Sequence, residues 1–512
     1  MTPYAFFDSI MRVQREFDVG RLSLGGVNHW MIIRLLMLGA LSREANRKAL
    51  NVAGQSSHSR IIDNPLGALK PKDALPISYS RRVLGKSSML FEPPSPAVSS
   101  AKMVFYELPA DYTQIIDGKA VNRIADGFHE AFGDRVRKVC RFTPNKFEIS
   151  CRVEPSYVFL APPPLEIPVE DRAQFMQAVR ELCIYLHREI PDFALFPTPV
   201  LESVSAVLMQ AAAHREWLAE MKPEMVAFQC FVSMEKMAVL VACKQLGIPA
   251  LEVQHGFCDV NTIFNEMPAP RPGDISLYTD IFWSWGEKTA SALKADSGIV
   301  ANHVGVIAGG DVWGALMAGK AAAERSGFLQ RTGADKYTKR VLVGHQIEAL
   351  VHARDSNSLI PAFVMTAMLQ APKDWLWMVR VHPRSSHLIK PIKIALADAG
   401  IVNSEVEITS LEPIEVVLEA VDVYLTGFSV SALEANAIGK PVIVLDDVGK
   451  RLFGELIDRG VFGFAESADA LCDQIEKIGP PADDFGYYKR DLDYSHRVFD
   501  MLLRPRAMDI AS

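Results

Sequence analysis

Residues 422–447 read DVYLTGFSVSALEANAIGKPVIVLDD. The order of residue types is strand, turn, helix, turn, strand. Asp422 to Thr426 is a short apolar run that ends on Gly427. Phe428-Ser429-Val430-Ser431 then opens a helix of small residues, Ala432 to Ile438, and Gly439-Lys440-Pro441 stops it. Val442 to Leu445 starts a second buried strand. A strand that feeds a helix start rich in Gly and Ser points backbone N–H groups and hydroxyls at one place, a ready anion site. Glu434 lies one turn in, within reach of a ribose or phosphate partner. The plain alternative is an ordinary βαβ unit with a serine cap.

Outward from this unit, strand and helix signals alternate along most of the chain. At 512 residues the length suits two or more domains with a large core. A first set of strands is expected at Lys102 to Tyr106, Tyr157 to Leu160, Met225 to Phe231 and Ala250 to Gln254. A second begins near Ile281-Phe282-Trp283 and continues at 304–307, 341–343, 375–381, 406–408, 421–425 and 442–445. Such alternation predicts parallel sheets covered on both faces, with ligands at the carboxyl ends of strands. The expected division is a helical extension and loop over 1–100, an acceptor domain over 101–272, a nucleotide domain over 273–482, and a terminal helix over 483–512 that returns to the first domain. The proline-rich stretch Pro268 to Pro272 marks the crossover.

Composition narrows the function classes. Hydrophobic residues make up 49% and charged residues 22%, which excludes general disorder. A net charge of −7 argues against a nucleic-acid partner. Seven cysteines without a CxxC pair suit a reducing, cytoplasmic setting. No secretory signal or run of about 18 apolar residues is present. The nearest membrane candidate is WMIIRLLMLGAL, Trp30 to Leu41. Arg34 interrupts it, and it reads as a buried helix or as a peripheral contact at the inner membrane face. No P-loop, glycine-rich dinucleotide turn, nucleophile elbow or zinc spacing is found, so no metal or cofactor is expected. Asp491-Leu492-Asp493 reads as solvated surface.

Polar residues collect just after the strands. His255-Gly256 follows Leu251 to Gln254. His345 and Gln346 follow Val341 to Gly344. His382-Pro383-Arg384 follows Trp377 to Val381, and Ser429 and Ser431 follow Val423 to Leu425. His, Arg, Ser and backbone N–H groups together suit a phosphate or diphosphate.

Several of these segments resemble bacterial capsule and O-antigen glycosyltransferases of the GT-B type. Val253-Gln254-His255-Gly256 is similar to their QHG segment, and Phe282 to Gly286 to the WG segment after it. Val381-His382-Pro383-Arg384 resembles the HP motif of CMP-sugar-using sialyl- and Kdo-transferases. Phe428 to Pro441 resembles their serine-rich motif, and Asp117 to Asp126 a recurring DGK-x-x-N-x-x-x-D stretch. The resemblance implies the GT-B fold: two Rossmann-like doubly wound domains facing a cleft. It also implies a nucleotide-sugar donor, CMP-sugar favoured, held by His382, Ser429 and Ser431, with Glu434 at the ribose. Pro383, Arg384, Gly427 and, from its strand-end position, Gln346 complete the expected donor site. The acceptor would be a glycan or lipid-linked glycan for capsule or lipopolysaccharide synthesis. The sialyltransferase catalytic-base motif has no clear counterpart, which leaves His255, Asp117, Asp126 and Glu266 as catalytic candidates. A GT-B sugar-nucleotide epimerase, a polyol-phosphate transferase and a non-catalytic carbohydrate-binding scaffold are the alternatives.

Overall fold

The computed structural model describes residues 3–37, 102–141, 150–158, 160, 163, 165–190, 195–256, 271–295, 304–345, 359–481 and 486–504. Glu266, Gln346, the 51–100 connection and most of the proline-rich crossover lie outside them.

Two parallel sheets organise these residues. The strands of the first are β1 (Met103–Glu107), β2 (Val136–Arg141), β3 (Ser156–Val158), β4 (Met225–Phe228), β5 (Ala250–Val253), β6 (Ile281–Ser284) and β7 (Gly305–Ala308). Their spatial order is β7-β6-β5-β4-β1-β2-β3. The second sheet holds β8 (Lys339–His345), β9 (Trp375–Val381), β10 (Ser404–Glu405), β11 (Val423–Thr426), β12 (Val442–Val444) and β13 (Phe462–Phe464), in the order β10-β9-β8-β11-β12-β13. Every pairing in both sheets is parallel. Each sheet therefore repeats the 3-2-1-4-5-6 Rossmann order, the first with one strand added at its β7 edge. Each has a switch point where the order reverses, between β1 and β4 and between β8 and β11. This is the two-domain α/β class expected from the sequence.

Side-chain alternation explains why both faces are covered. Val341, Val343, Val423, Leu425 and Ile443 pack into one cluster, while Leu342, Tyr424, Val442 and Val444 pack into another. In the first sheet Val104, Tyr106, Val226 and Phe228 face one way and Met103, Phe105, Met225 and Ala227 the other. A period of two on both faces requires helices above and below.

Two boundaries differ from the sequence expectation. β6 and β7 follow the proline-rich crossover, yet β6 pairs with β5 and β7 with β6, so both belong to the first sheet. The chain leaves that sheet after Ala308, through helix Val312–Thr332, rather than at 268–272. The strand expected at Val406-Glu407-Ile408 is a short helix, Glu407–Leu411, with only Ser404–Glu405 extended before it. The Glu405 carboxylate explains the switch, because it accepts the N–H groups of Ile408 and Thr409, both at 2.8 Å.

The N-terminal segment is part of the first core. Helix Pro3–Glu16 is followed by a small hairpin and by helical residues 30–37. Trp30 to Leu35 are buried, Arg34 included, and Arg34 donates to Gln14 Oε1 at 3.2 Å. This part of the membrane-contact candidate is thus committed to the interior. No helix among the described residues is long and apolar enough to cross a membrane. Helix Leu492–Leu502 lies on the opposite face of the first sheet, with Phe499 stacked on Phe132 at 3.9 Å between ring centroids.

Candidate functional site

The serine-rich turn sits at the switch point of the second sheet, as the βαβ reading requires. Ser429 Oγ and Ser431 Oγ are 2.6 Å apart, and Tyr424 Oη lies 2.6 Å from Ser431 Oγ. Gly344 makes this arrangement possible, since a Cβ there would stand 2.3 Å from Tyr424 Oη. Gly427 is buried, and its carbonyl oxygen would lie 1.8 Å from a Cβ on Gly449. The turn is therefore clamped from below while its hydroxyls remain partly exposed. Burial pushes the Tyr424 hydroxyl above its ordinary pKa, against the pull of Ser431, so it stays a donor at neutral pH. Two strands away, across β8, His382 is exposed at the end of β9. Pro383 opens a 3-10 turn, and Ser385 N–H closes on His382 O at 2.7 Å. The side chain of Arg384 lies outside the described parts.

Glu434 does not point freely at a ligand. It is buried, 3.3 Å from the Arg123 guanidinium of the first domain, which also meets Glu415 at 2.7 Å. Trp313 Nε1 donates to the same Glu415 oxygen at 2.9 Å. Burial raises the Glu434 carboxyl above its usual range, Arg123 lowers it and Glu415 adds to the rise. Burial also works against the Arg123 charge, but Glu415 and Glu434 more than offset it. Arg123, not noticed in the sequence, is the group that joins the two domains here. The signal for it was its place in the DGK-x-x-N-x-x-x-D stretch.

That stretch is a scaffold. Gln114–Ile116 and Lys119–Val121 form a hairpin whose two-residue turn is Asp117-Gly118, with φ of 52° and 72°. An Asp-Gly pair is what such a turn favours. Asn122 then caps helix Arg123–Phe132, accepting from Ala125 N–H and donating to Glu107 Oε2 at 2.9 Å. Asp126 is fully buried, bonded to Lys138 and to Asn122 N–H. Burial raises its pKa, opposed by Lys138. Of the two catalytic candidates here, Asp117 occupies the hairpin turn and Asp126 a buried ion pair with Lys138, and together they set the aim of Arg123.

At the matching edge of the first sheet, Gln254 fixes the QHG turn. Its side chain accepts Trp285 N–H at 2.8 Å and donates to Gly256 O at 3.0 Å. His255 is left on the surface, with Nδ1 3.9 Å from the buried Glu252 carboxylate. Burial holds the Glu252 carboxyl up at about 8. Cys230, after β4, brings its sulfur to the same place. The donor atoms of Cys230, Glu252 and His255 lie within 4.8 Å of one another, a set the sequence spacing did not reveal.

The WG segment closes the returning chain onto the first domain. A Cβ on Gly286 would meet Gly486 O at 2.2 Å, so only glycine lets the two backbones pass. Lys489 N–H donates to Trp285 O at 2.8 Å, and Tyr488 stacks on Trp285 at 5.0 Å. Arg490 reaches Asp311 at 3.1 Å. Asp491, of the acidic pair, caps the terminal helix by accepting Tyr494 N–H.

No protein-family model matches this chain, and no curated protein does. Among solved structures it is similar to UDP-GlcNAc 2-epimerase from Neisseria meningitidis bound to UDP-GlcNAc, at 15% identity and TM-score 0.44 over 79% of this chain and 99% of that one. UDP-GlcNAc 2-epimerase from Methanocaldococcus jannaschii gives 12% and 0.47 over 78% and 98%. An Anabaena protein in complex with UDP and glucose gives 13% and 0.41 over 78% and 99%. A likeness of that depth leaves the activity to be read from this chain's own residues.

Proposed function

We propose that this chain is a sugar-nucleotide enzyme with its nucleotide at the switch point of the second sheet and the reacting sugar against His255. The observation that carries the reading is the Ser429–Ser431–Tyr424 hydroxyl cluster, set at the reversal of a Rossmann-ordered sheet whose strand β9 ends at His382. Ligands of open parallel sheets bind at such a crevice. A departing nucleotide phosphate gathers negative charge, and donors already fixed in place stabilise it without reorganising. His255 is placed to accept the proton of an attacking hydroxyl, with Glu252 behind it. The finer reading is transfer from a CMP-sugar to a glycan or lipid-linked acceptor at the cytoplasmic side, supported by the HP and QHG resemblances.

One observation favours a second reaction at this site. A buried carboxyl beside an exposed imidazole is a pair able to remove and return a proton at a sugar carbon, which is epimerisation. The two reactions part in one experiment. Thermal shifts with CMP, CDP, UDP, GDP and dTDP select the nucleotide; a ligand at 100 times its dissociation constant stabilises by about 2.7 kcal/mol. The matching sugar nucleotide is then incubated in D2O with and without a glycan acceptor. Free nucleotide with glycosylated acceptor is transfer; deuterium in an intact, inverted sugar nucleotide is epimerisation. A chain that stabilises with none of the five nucleotides ends both readings and leaves a scaffold.

A further inference from the structure

We propose that Cys230, Glu252 and His255 form a binding site for a zinc-class divalent metal at the strand-end edge of the first domain. The fold brings the three together by register. Phe228 of β4 pairs with Glu252 of β5. Cys230 comes two residues after Phe228 and His255 three after Glu252, so both chains turn at the sheet edge side by side. Their sulfur, carboxylate oxygen and ring nitrogen lie within 4.8 Å of one another. A tetrahedral ion with bonds of about 2.0 to 2.3 Å draws its ligand atoms to roughly 3.5 Å apart. Closure therefore needs side-chain shifts of about 1 Å at most positions, and His255, at 36% exposure, has the space to make one.

The chemistry of the set selects the ion. Thiolate, imidazole and carboxylate together suit zinc, whereas calcium and magnesium want oxygen alone. Three protein ligands leave the fourth tetrahedral position open, and the exposure of His255 leaves solvent access for a water or ligand oxygen. A second observation supports the site. Glu252 is a carboxylate 6% exposed in the middle of a sheet edge. Of the cations near it, Lys236 is engaged by Asp111 at 2.7 Å, and the His255 ring stands 3.9 Å off. A buried carboxylate with so little counter-charge is costly, and a divalent ion supplies what is missing. With zinc bound, His255 and Glu252 would serve as ligands and not as the proton-transfer pair proposed above, so the metal site and that catalytic role are alternatives for the same side chains.

The test uses the full chain, reduced and stripped of metal. It is titrated with zinc against a chromophoric chelator and, separately, with cobalt(II) followed by visible absorption. One zinc ion is expected per chain, with a thiolate-to-cobalt charge-transfer band. Cys230→Ser should abolish the band. Each of Cys230→Ser, Glu252→Gln and His255→Ala should weaken zinc by about 100-fold or more, at least what losing an outer-shell partner costs. Circular dichroism melts identify variants that fail to fold; His255→Ala, at an exposed position, decides the matter if a buried variant does. A cobalt band that survives Cys230→Ser, or zinc affinity unchanged in His255→Ala, overturns the site. Nucleotide titrations of the same variants separate this outcome from failure of the donor site, which lies on the other domain.

Discussion

At the strand ends of the first sheet, ionisable side chains are crowded and sealed: Glu107, Asp126 and Lys138 are buried together, and Glu252 lies under His255. At the strand ends of the second sheet the central groups are hydroxyls, those of Ser429, Ser431 and Tyr424, on a turn clamped by close glycine contacts. Both sheets have the same strand order, so topology does not account for the difference. The first edge stores protons and charge, which suits a place where bonds are made and broken. The second offers neutral donors in fixed positions, which suits holding an anion without neutralising it in advance.

The comparison breaks most readily at Lys138. It serves both Glu107 and Asp126 in a pocket closed to water. Lys138→Met should destabilise the chain by about 3 to 5 kcal/mol, because two carboxyls lose their buried partner. Urea unfolding measures this; a loss under 1 kcal/mol would show that the first edge does not rely on paired charge. Next in size is His255. His255→Ala should lower turnover by about 100-fold or more while nucleotide affinity holds. Steady-state rates on the selected sugar nucleotide, with calorimetry beside them, check both halves. Wild-type turnover would make His255 structural and shift attention to Glu252. On the other edge, His382→Ala and the Ser429→Ala/Ser431→Ala pair should each weaken nucleotide binding, by about 1.5 to 3 kcal/mol per lost contact with a charged group. Unchanged affinity in calorimetry would remove the nucleotide from this crevice.

A further expected effect is a pH slope. Burial lifts the Glu107 carboxyl from 4.5 to about 8, against the pull of Lys138. The folded chain then binds this proton more tightly than the unfolded one. Its stabilising share is complete below pH 4.5 and is lost as pH rises toward about 8. Urea midpoints should therefore fall between pH 5 and about 8, and Glu107→Gln should flatten the trend. A midpoint that rises over that window would mean the carboxylate is the native form.

The sheets were legible in the sequence because period-two alternation and turn residues are local signals. Which sheet a strand joins is not local. Trp283 and Ile307 follow a proline-rich break and look like the start of a new domain, yet Trp283 pairs back with β5 and Ile307 with Trp283. The site divides along the same line. His382, Ser429 and Ser431 stand at strand ends, where the alternation alone places them. Asp126 stood among the catalytic candidates because its partner, Lys138, is on the next strand and cannot be paired with it from spacing. Arg123 was missed because Glu415 and Glu434 lie some three hundred positions away. Cys230 was missed because register, not spacing, sets it beside His255.

Helix Leu492–Leu502 packs on the first sheet, where Phe499 stacks on Phe132. In terms of synthesis, this makes the first domain to leave the ribosome the last to be finished. Its sheet is complete at Ala308, but one face lacks Val498, Phe499 and Leu502 until the whole second domain has been made. At elongation rates of about 5 to 20 residues per second that wait is roughly 10 s or more. During it Phe132, Phe128 and Trp283 lack their cover, so a nascent chain stalled before residue 492 is the form most exposed to aggregation and most in need of a chaperone.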